Sequence, residues 1–539
     1  MEILAKNLRA LRSVNPQLAQ RLQRVQLADC IIRDQQNRIG IRHRQAWLTL
    51  DVAPSFWQTL FETLDQRPTL LIGCGDGRHL SQLAEREGAA LLVWERTPLL
   101  LRVALEENDL SVAIAAGKLK LCWGGELFTD PRIARAHQVL AHPSLSAVYR
   151  NELRVLEDGL GPQRALVADG SLYVDDLCET LWNHGFSVLT TDIQQMAASE
   201  LVGYAKQIDA ELLCAINFHH GLPELAERAG CKLVCWEIDP AIDHPAPCKA
   251  SASSCHVFTY REANIALFKR AGIEHVHYLP LAANPRRRRP VSPSANRGAP
   301  LCFVGASMVN TAQAHQLEFV AAATRAGLSQ DAAHALMQRV LEEHRRLDGY
   351  QLVELMRQHC APLIDRFAQG REDVDPVMLL GETLAAEHRL NLIAHLGRYQ
   401  IDVWGDEGWS SVAHVPGVRY RGHARHGEQL TQIYSDALIN IDIGRIYQRD
   451  IVTMRVFDVL ACAGFLLTEH SEALDALFEV GVELESFRSE DELHRKIDYY
   501  LARPDERARI AQAGRQAIVD RHAFDHRLET ILKQVGLAS

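Results

Sequence analysis

Residues 434–487 switch between two hydrophobic rhythms. LINIDI (438–443) and FLLT (465–468) are short unbroken apolar runs, as expected of strands covered on both faces of a parallel sheet. Between them, MRVFDVLACA (454–463) brings its apolar residues back every three or four positions, as a helix does, and Gly464 ends it. Ser471 can cap a further helix, EALDALF. Parallel sheets bind ligands beyond the C-terminal ends of their strands. Gly444, Arg445, Asp450, Arg455, Asp458, Glu469 and His470 collect there.

The same alternation recurs upstream. RALVADG, FSVLTTD, ELLCAINF, CKLVCWEIDP, HVFTY and HVHYLPLAAN are strand-like and separated by helical stretches, which predicts a doubly wound domain over 161–284. Residues 285–300, PRRRRPVSPSANRGAP, lack periodic apolar positions and read as a solvated linker. LCFVGASM opens a third α/β region, 301–539. A long helical insertion over about 311–397 and a helical tail broken at Pro504 and Gly514 belong to it. Residues 130–160, including IARAHQVLA, read as a helical connector.

At the other end, TLLIGCGDGRHLSQLAEREG followed by AALLVWE spells strand, glycine-rich turn, helix, strand. Gly73, Gly75 and Gly77 let a backbone turn tightly and approach a ligand, and Glu95 stands where Rossmann-like domains hold a ribose hydroxyl. This stretch resembles the class I methyltransferases, which implies a ligand site at these four residues with S-adenosylmethionine as its occupant. A Rossmann-like scaffold without a cofactor fits the same pattern, since no methyltransferase catalytic motif follows. Residues 1–160 are therefore expected to form an extra N-terminal helical and Rossmann-like domain.

Composition narrows the function. The 539 residues are too many for one core. The net charge of −10 argues against nucleic acid as the main partner. Of the twelve cysteines several lie in apolar runs, as reduced buried thiols do, and no C-x-x-C pair suggests structural zinc. MEILAKNLRALRS starts an amphipathic helix rather than a signal peptide, and no apolar run reaches membrane-spanning length. The expected location is cytoplasmic.

VFDVLACAGFLLTEHSEALDALF and the tail YYLARPDERARIAQAGRQAIVDRHAFDHRLETIL, with HYLPLAAN and FVGAS, resemble the CgeB-like, group-1-type glycosyltransferases of GT-B architecture. The N-terminal region also resembles that of some bacterial motility-associated, flagellin-modifying glycosyltransferases. The likeness implies two Rossmann-like domains and a donor that is a UDP-, GDP- or dTDP-sugar. It further implies an acceptor that is a protein such as flagellin, or a surface glycan. Arg455, at a helix start, suits the diphosphate. Asp458, three residues on, suits the ribose. Asp450 stands eight positions earlier, where the family carries a second acidic residue. Gly444, Arg445, Glu469, His470 and Ser471 would complete the phosphate cradle, with Trp404 and Gly405 near the base. His219 and Asp239 are candidate catalytic residues on the acceptor side. No D-x-D motif stands where a metal would be held, so no metal or other cofactor is expected.

Two other readings remain. The chain can be a bifunctional enzyme whose 69–95 segment binds S-adenosylmethionine, or a non-catalytic scaffold with degenerate nucleotide-binding folds. A homo-oligomer is compatible with each.

Overall fold

The computed structural model describes residues 2–26, 31–34, 38–43, 46–86, 90–170, 172–239, 248, 254–295, 297–347, 349–372 and 374–537. The loop that follows the WEIDP strand lies outside the described residues from 240 to 247. The chain forms two compact units. One comprises Met1–Trp236, Cys248–Val257 and Gly272–His275; the other comprises Glu237–Pro247, Phe258–Ala271 and Val276–Ser539.

Near the N-terminus, β1 (Ile31–Arg33), β2 (Ile39–His43) and β3 (Ala46–Thr49) pair antiparallel. A parallel sheet follows, built from β4 (Thr69–Ile72), β5 (Leu91–Trp94), β6 (Leu119–Cys122) and β7 (Gln138–Ala141) in the order β6-β5-β4-β7. The expected helical connector is corrected here. The helix Pro131–Ala136 stops early, and QVLA becomes β7 because its four backbone positions complete the ladder beside β4.

The second sheet holds β8 (Gln163–Ala168), β9 (Phe186–Thr191), β10 (Leu212–Ile216), β11 (Lys232–Glu237), β12 (Cys255–Thr259) and β13 (His275–Tyr278). Its order is β13-β12-β11-β10-β8-β9. The third holds β14 (Leu301–Val304), β15 (Ile401–Trp404), β16 (Val418–Tyr420), β17 (Ile439–Asp442), β18 (Leu466–Glu469) and β19 (Glu485–Phe487). All its pairs are parallel, in the order β16-β15-β14-β17-β18-β19. The doubly wound α/β class read from the sequence is therefore present, in two six-stranded sheets.

Strand order reverses in the third sheet between β14 and β17. The connections leave in opposite directions there, so a crevice opens at the strand ends. Leu301, Phe303, Ile401, Val403, Ile439 and Ile441 fill the sheet's interior, each removed from water. Burial of side chains this size stabilises by roughly 1.5–3 kcal/mol apiece. Leu392, Ile393 and Leu396 join this core from the helix Pro376–Leu396.

That helix is the last of four between β14 and β15: Val309–Arg325, Gln330–Arg345, Leu352–Ala368 and Pro376–Leu396. They have a core of their own, including Phe319, Val340, Met356 and Leu380. In the tail, the expected break at Pro504 is present, between the helices Glu490–Leu501 and Pro504–Ala517, and the one expected at Gly514 is not. Pro504 occupies the first turn of the helix Pro504–Ala517, where its missing N–H costs nothing. Gly514 lies inside it, against the Glu483 carbonyl, where no Cβ fits. The final helix, Phe524–Val535, is tied back by Arg527, which donates to the Pro280 and Leu281 carbonyls at 2.9 and 3.0 Å. Among the described residues, no helix is long and apolar enough to cross a membrane.

Candidate active site at the strand ends of the third sheet

Asp442 ends β17 and is 2% exposed. A carboxylate this deep must be bonded at both oxygens. It accepts from Arg455 Nε at 2.6 Å and Thr453 Oγ1 at 3.0 Å on one oxygen, and from Thr468 Oγ1 at 2.9 Å on the other. Arg455, in the first turn of the helix Met454–Ala461, also donates to the Ile443 carbonyl at 3.2 Å. Its guanidinium carbon lies 5.0 Å from the Phe303 ring centre. Thr453 is the N-cap of that helix, yet its hydroxyl serves Asp442 and makes no capping bond.

Arg389 comes from the insertion's last helix and is 4% exposed. It donates to the carbonyls of Ala306 at 2.8 Å, Ile443 at 2.9 Å and Gly444 at 3.4 Å. One guanidinium thus bridges the backbone beyond β14 to the backbone beyond β17, across the reversal. Burial lowers its pKa to about 9, helped by the nearby positive charges of Arg455 and Arg445. Arg445 pairs with Glu382 of the same helix at 2.9 Å, and the Tyr447 hydroxyl donates to the same carboxylate oxygen. Burial pulls the Arg445 pKa down, and Glu382 with Tyr447 and Tyr260 more than offsets it, for a net rise.

The other expected donor-site residues have partners of their own. Glu469 meets His388 Nε2 at 3.0 Å and accepts the Gly444 N–H at 3.2 Å. His470 faces Ser486 Oγ and Asp475, each at 3.3 Å. Ser471 caps the helix Glu472–Leu477 through the Leu474 N–H at 3.2 Å and donates to the Ile451 carbonyl, so its hydroxyl acts as a helix cap. Asp450 pairs with Arg261 at 2.7 Å. Asp458 is 6% exposed and faces Arg288 Nε at 3.4 Å. Arg286 pairs with Asp525 at 3.2 Å. The arginine run at 286–289 is therefore anchored at two points, which corrects the solvated-linker expectation. After Trp404, Gly405 packs on the Gly305 carbonyl, and Asp406 accepts from the Ser307 and Gly408 N–H groups at 2.7 and 2.9 Å. Asp442, Arg445, Thr453, Thr468, Glu469 and Ser471 line a narrow cleft that opens to solvent.

Asp239 also belongs to the second unit and is exposed. Burial raises the Tyr260 hydroxyl pKa; Arg445 opposes the rise and Asp239 adds to it. His219 belongs to the first unit, half-buried after β10. Burial lowers its pKa, with His220 adding to the effect.

At the N-terminal glycine loop the ligand expectation is corrected. Gly75 has φ +56°, and His142 Nε2 fills the space its Cβ would take. Tyr149 and Leu145 stand against Gly73, and Ala104 and Asn108 against Gly77. Glu95 is fully buried: it accepts the Cys74 N–H at 3.0 Å, the Thr97 N–H at 3.2 Å and the Tyr149 hydroxyl. Burial raises its pKa, and those bonds oppose the rise. The backbone approach expected for a ligand is made by the protein's own side chains. The residues present do not fit S-adenosylmethionine, whose ribose needs that carboxylate.

Reading the sequence missed Asp442, Glu382, His388 and Arg389. Only Asp442 carried a local signal, as an acidic residue among the apolar ones of LINIDI.

No protein of curated function matches this chain in sequence. Among solved structures, HepE of Anabaena in complex with UDP and glucose is 11% identical, with 69% of this chain and 99% of that one covered and a TM-score of 0.39. Sucrose-phosphate synthase of Thermosynechococcus elongatus is 10% identical, with coverage of 70% and 100% and a TM-score of 0.41. A glycosyltransferase of Rickettsia africae is 8% identical, with coverage of 87% and 98% and a TM-score of 0.36. Residues 387–533, which carry Arg389, Asp442 and Arg455, are similar to the family model described as Glycosyl transferase-like.

Proposed function

We propose that this protein is a GT-B glycosyltransferase that moves a sugar from a nucleoside diphosphate sugar to a hydroxyl acceptor. The observation that carries the reading is the meeting of Arg389, Arg445 and Arg455 at the β14/β17 reversal. Breaking the sugar–phosphate bond leaves about two negative charges on the diphosphate, and fixed cationic donors lower that barrier most. Arg455 and Arg445 take the diphosphate, their planes already set by Asp442 and Glu382. Asp458 takes the ribose hydroxyls, oriented by Arg288. Asp450, Gly444, Glu469, His470 and Ser471 complete the donor wall, and Trp404 and Gly405 lie toward the base. Where the reaction inverts, Asp239 or His219 accepts the acceptor's proton. The donor is a UDP-, GDP- or dTDP-sugar, and the acceptor is a flagellin-like protein or a surface glycan. The functional modules are 1–160, 161–284 and 301–539, joined through 285–300.

The N-terminal module acts as a scaffold for acceptor binding or assembly. His142 against Gly75 and the buried Glu95 support this over a methyltransferase role.

A panel of UDP-, GDP- and dTDP-sugars, read by donor hydrolysis and thermal shift, tests the reading. At least one donor is expected to be hydrolysed and to raise the melting temperature. No response to any of them overturns it.

A further inference from the structure

Gln448 belongs to the loop 444–453, between β17 and the Arg455 helix, where its N–H closes a turn onto the Arg445 carbonyl at 2.8 Å. It is 2% exposed and lines the cleft together with Asp442, Thr453, Thr468, Glu469 and Ser471. Both ends of its carboxamide, Oε1 and Nε2, are shielded from solvent without a hydrogen-bond partner among the described residues. The charged neighbours differ: Asp442 has three donors, and Glu469 is held by His388 and the Gly444 N–H. Burying an amide with neither end bonded costs free energy, and native proteins rarely leave such a group without a reason.

The chemistry of the group selects its ligand. A carboxamide offers an acceptor and two donors side by side. A phosphate only accepts, so it would leave Oε1 unmet. A nucleobase needs a broad flat wall, and the described lining of this cleft contains no Phe, Tyr or Trp. Hydroxyl groups both donate and accept.

We infer that Gln448 binds two neighbouring hydroxyls of the transferred sugar and sets which sugar the enzyme accepts. This rests on the glycosyltransferase reading above and assigns the sugar end of that site.

The test uses the full-length protein with Gln448→Leu, which keeps comparable bulk without polarity, and Gln448→Glu, which keeps the shape but loses the amide donor. Donor hydrolysis is measured with the preferred nucleotide sugar and its monodeoxy analogues, beside inhibition by the free nucleoside diphosphate. Gln448→Leu is expected to lower kcat/KM for the parent donor ten- to a hundredfold. It should erase most of the preference over one deoxy analogue and leave nucleoside diphosphate inhibition within about twofold. Gln448→Glu is expected to fall between. An equal loss toward donor and free nucleotide overturns the inference, as does unchanged sugar preference in both variants. If Gln448→Leu does not fold, the same criteria are read on Gln448→Glu alone. A wild-type protein that hydrolyses no nucleotide sugar removes the glycosyltransferase reading itself, and this inference with it. Normal wild-type turnover with indifferent variants removes the Gln448 assignment alone.

Discussion

Asp442 and Arg455 should be energetically coupled, and the coupling should be felt in nucleotide binding. Their contact is 2.6 Å, with side chains 3% and 16% exposed. An exposed pair contributes about 0.2–1 kcal/mol. Breaking a buried pair by removing one partner costs about 3–5 kcal/mol. This pair lies nearer the buried limit, but Arg455 retains the Ile443 carbonyl and the Phe303 face as partial compensation. A coupling of about 2 kcal/mol is therefore expected. Asp442→Asn is the right perturbation because a carboxamide can still bond both threonine hydroxyls while losing the charge that orients Arg455. Unfolding of the wild type, Asp442→Asn, Arg455→Met and the double variant closes the cycle. Calorimetry on the same proteins reads nucleoside diphosphate affinity. Asp442→Asn should weaken it about tenfold, the equivalent of roughly 1.4 kcal/mol, because the guanidinium loses its fixed plane. A coupling below about 0.5 kcal/mol would refute the reasoning, as would unaltered affinity in Asp442→Asn.

Arg455→Ala should cost roughly 1.5–3 kcal/mol of nucleotide affinity, as for a charge-assisted contact, measured by titration calorimetry. Gly75→Ala should destabilise well beyond Gly117→Ala, since His142 blocks the first Cβ and nothing lies within 4 Å of the second. Both have positive φ, so about 1 kcal/mol of conformational strain is common to the two, and comparable melting curves would count against the packing argument. Burial lowers the His142 pKa to about 4, against an ordinary value of 6.5. The unfolded chain therefore takes up the proton first, and this contribution to stability is whole above pH 6.5 and drains away as pH falls toward 4. By pH 5 about 2 kcal/mol should be gone, and His142→Phe should flatten that part of the acid profile. Identical acid profiles for variant and wild type would rule out His142 as a source. The full-length protein should show no heat of binding with S-adenosylmethionine.

Strand-end positions were legible because a parallel sheet writes its strands as apolar runs, and the polar residue after each run must sit at its end. Glu469, the last residue of β18, was found that way, whereas Arg455 and Asp458 were read from the helix that follows β17. Their partners were not, because Glu382 lies 63 residues from Arg445 and His388 lies 81 residues from Glu469. A helical pattern records which face is buried and not which distant carboxylate it meets. The glycine loop shows a different failure. A residue that allows close approach is needed equally by a ligand and by an imidazole, and nothing near Gly75 in sequence announced His142. The arginine run looked like linker because ion pairs across long separations, such as Arg288 with Asp458, leave no periodic trace.

The insertion between β14 and β15 also bears on how the chain folds. The two strands are direct neighbours, yet residues 305–400 separate them. Closing a disordered loop of that length before the ladder forms would be slow. Four helices with a core of their own can collapse first from local contacts, which shortens the effective tether to the gap between their ends. Arg389 then arrives with the last helix, so the crevice at the strand reversal is finished only after the insertion has docked.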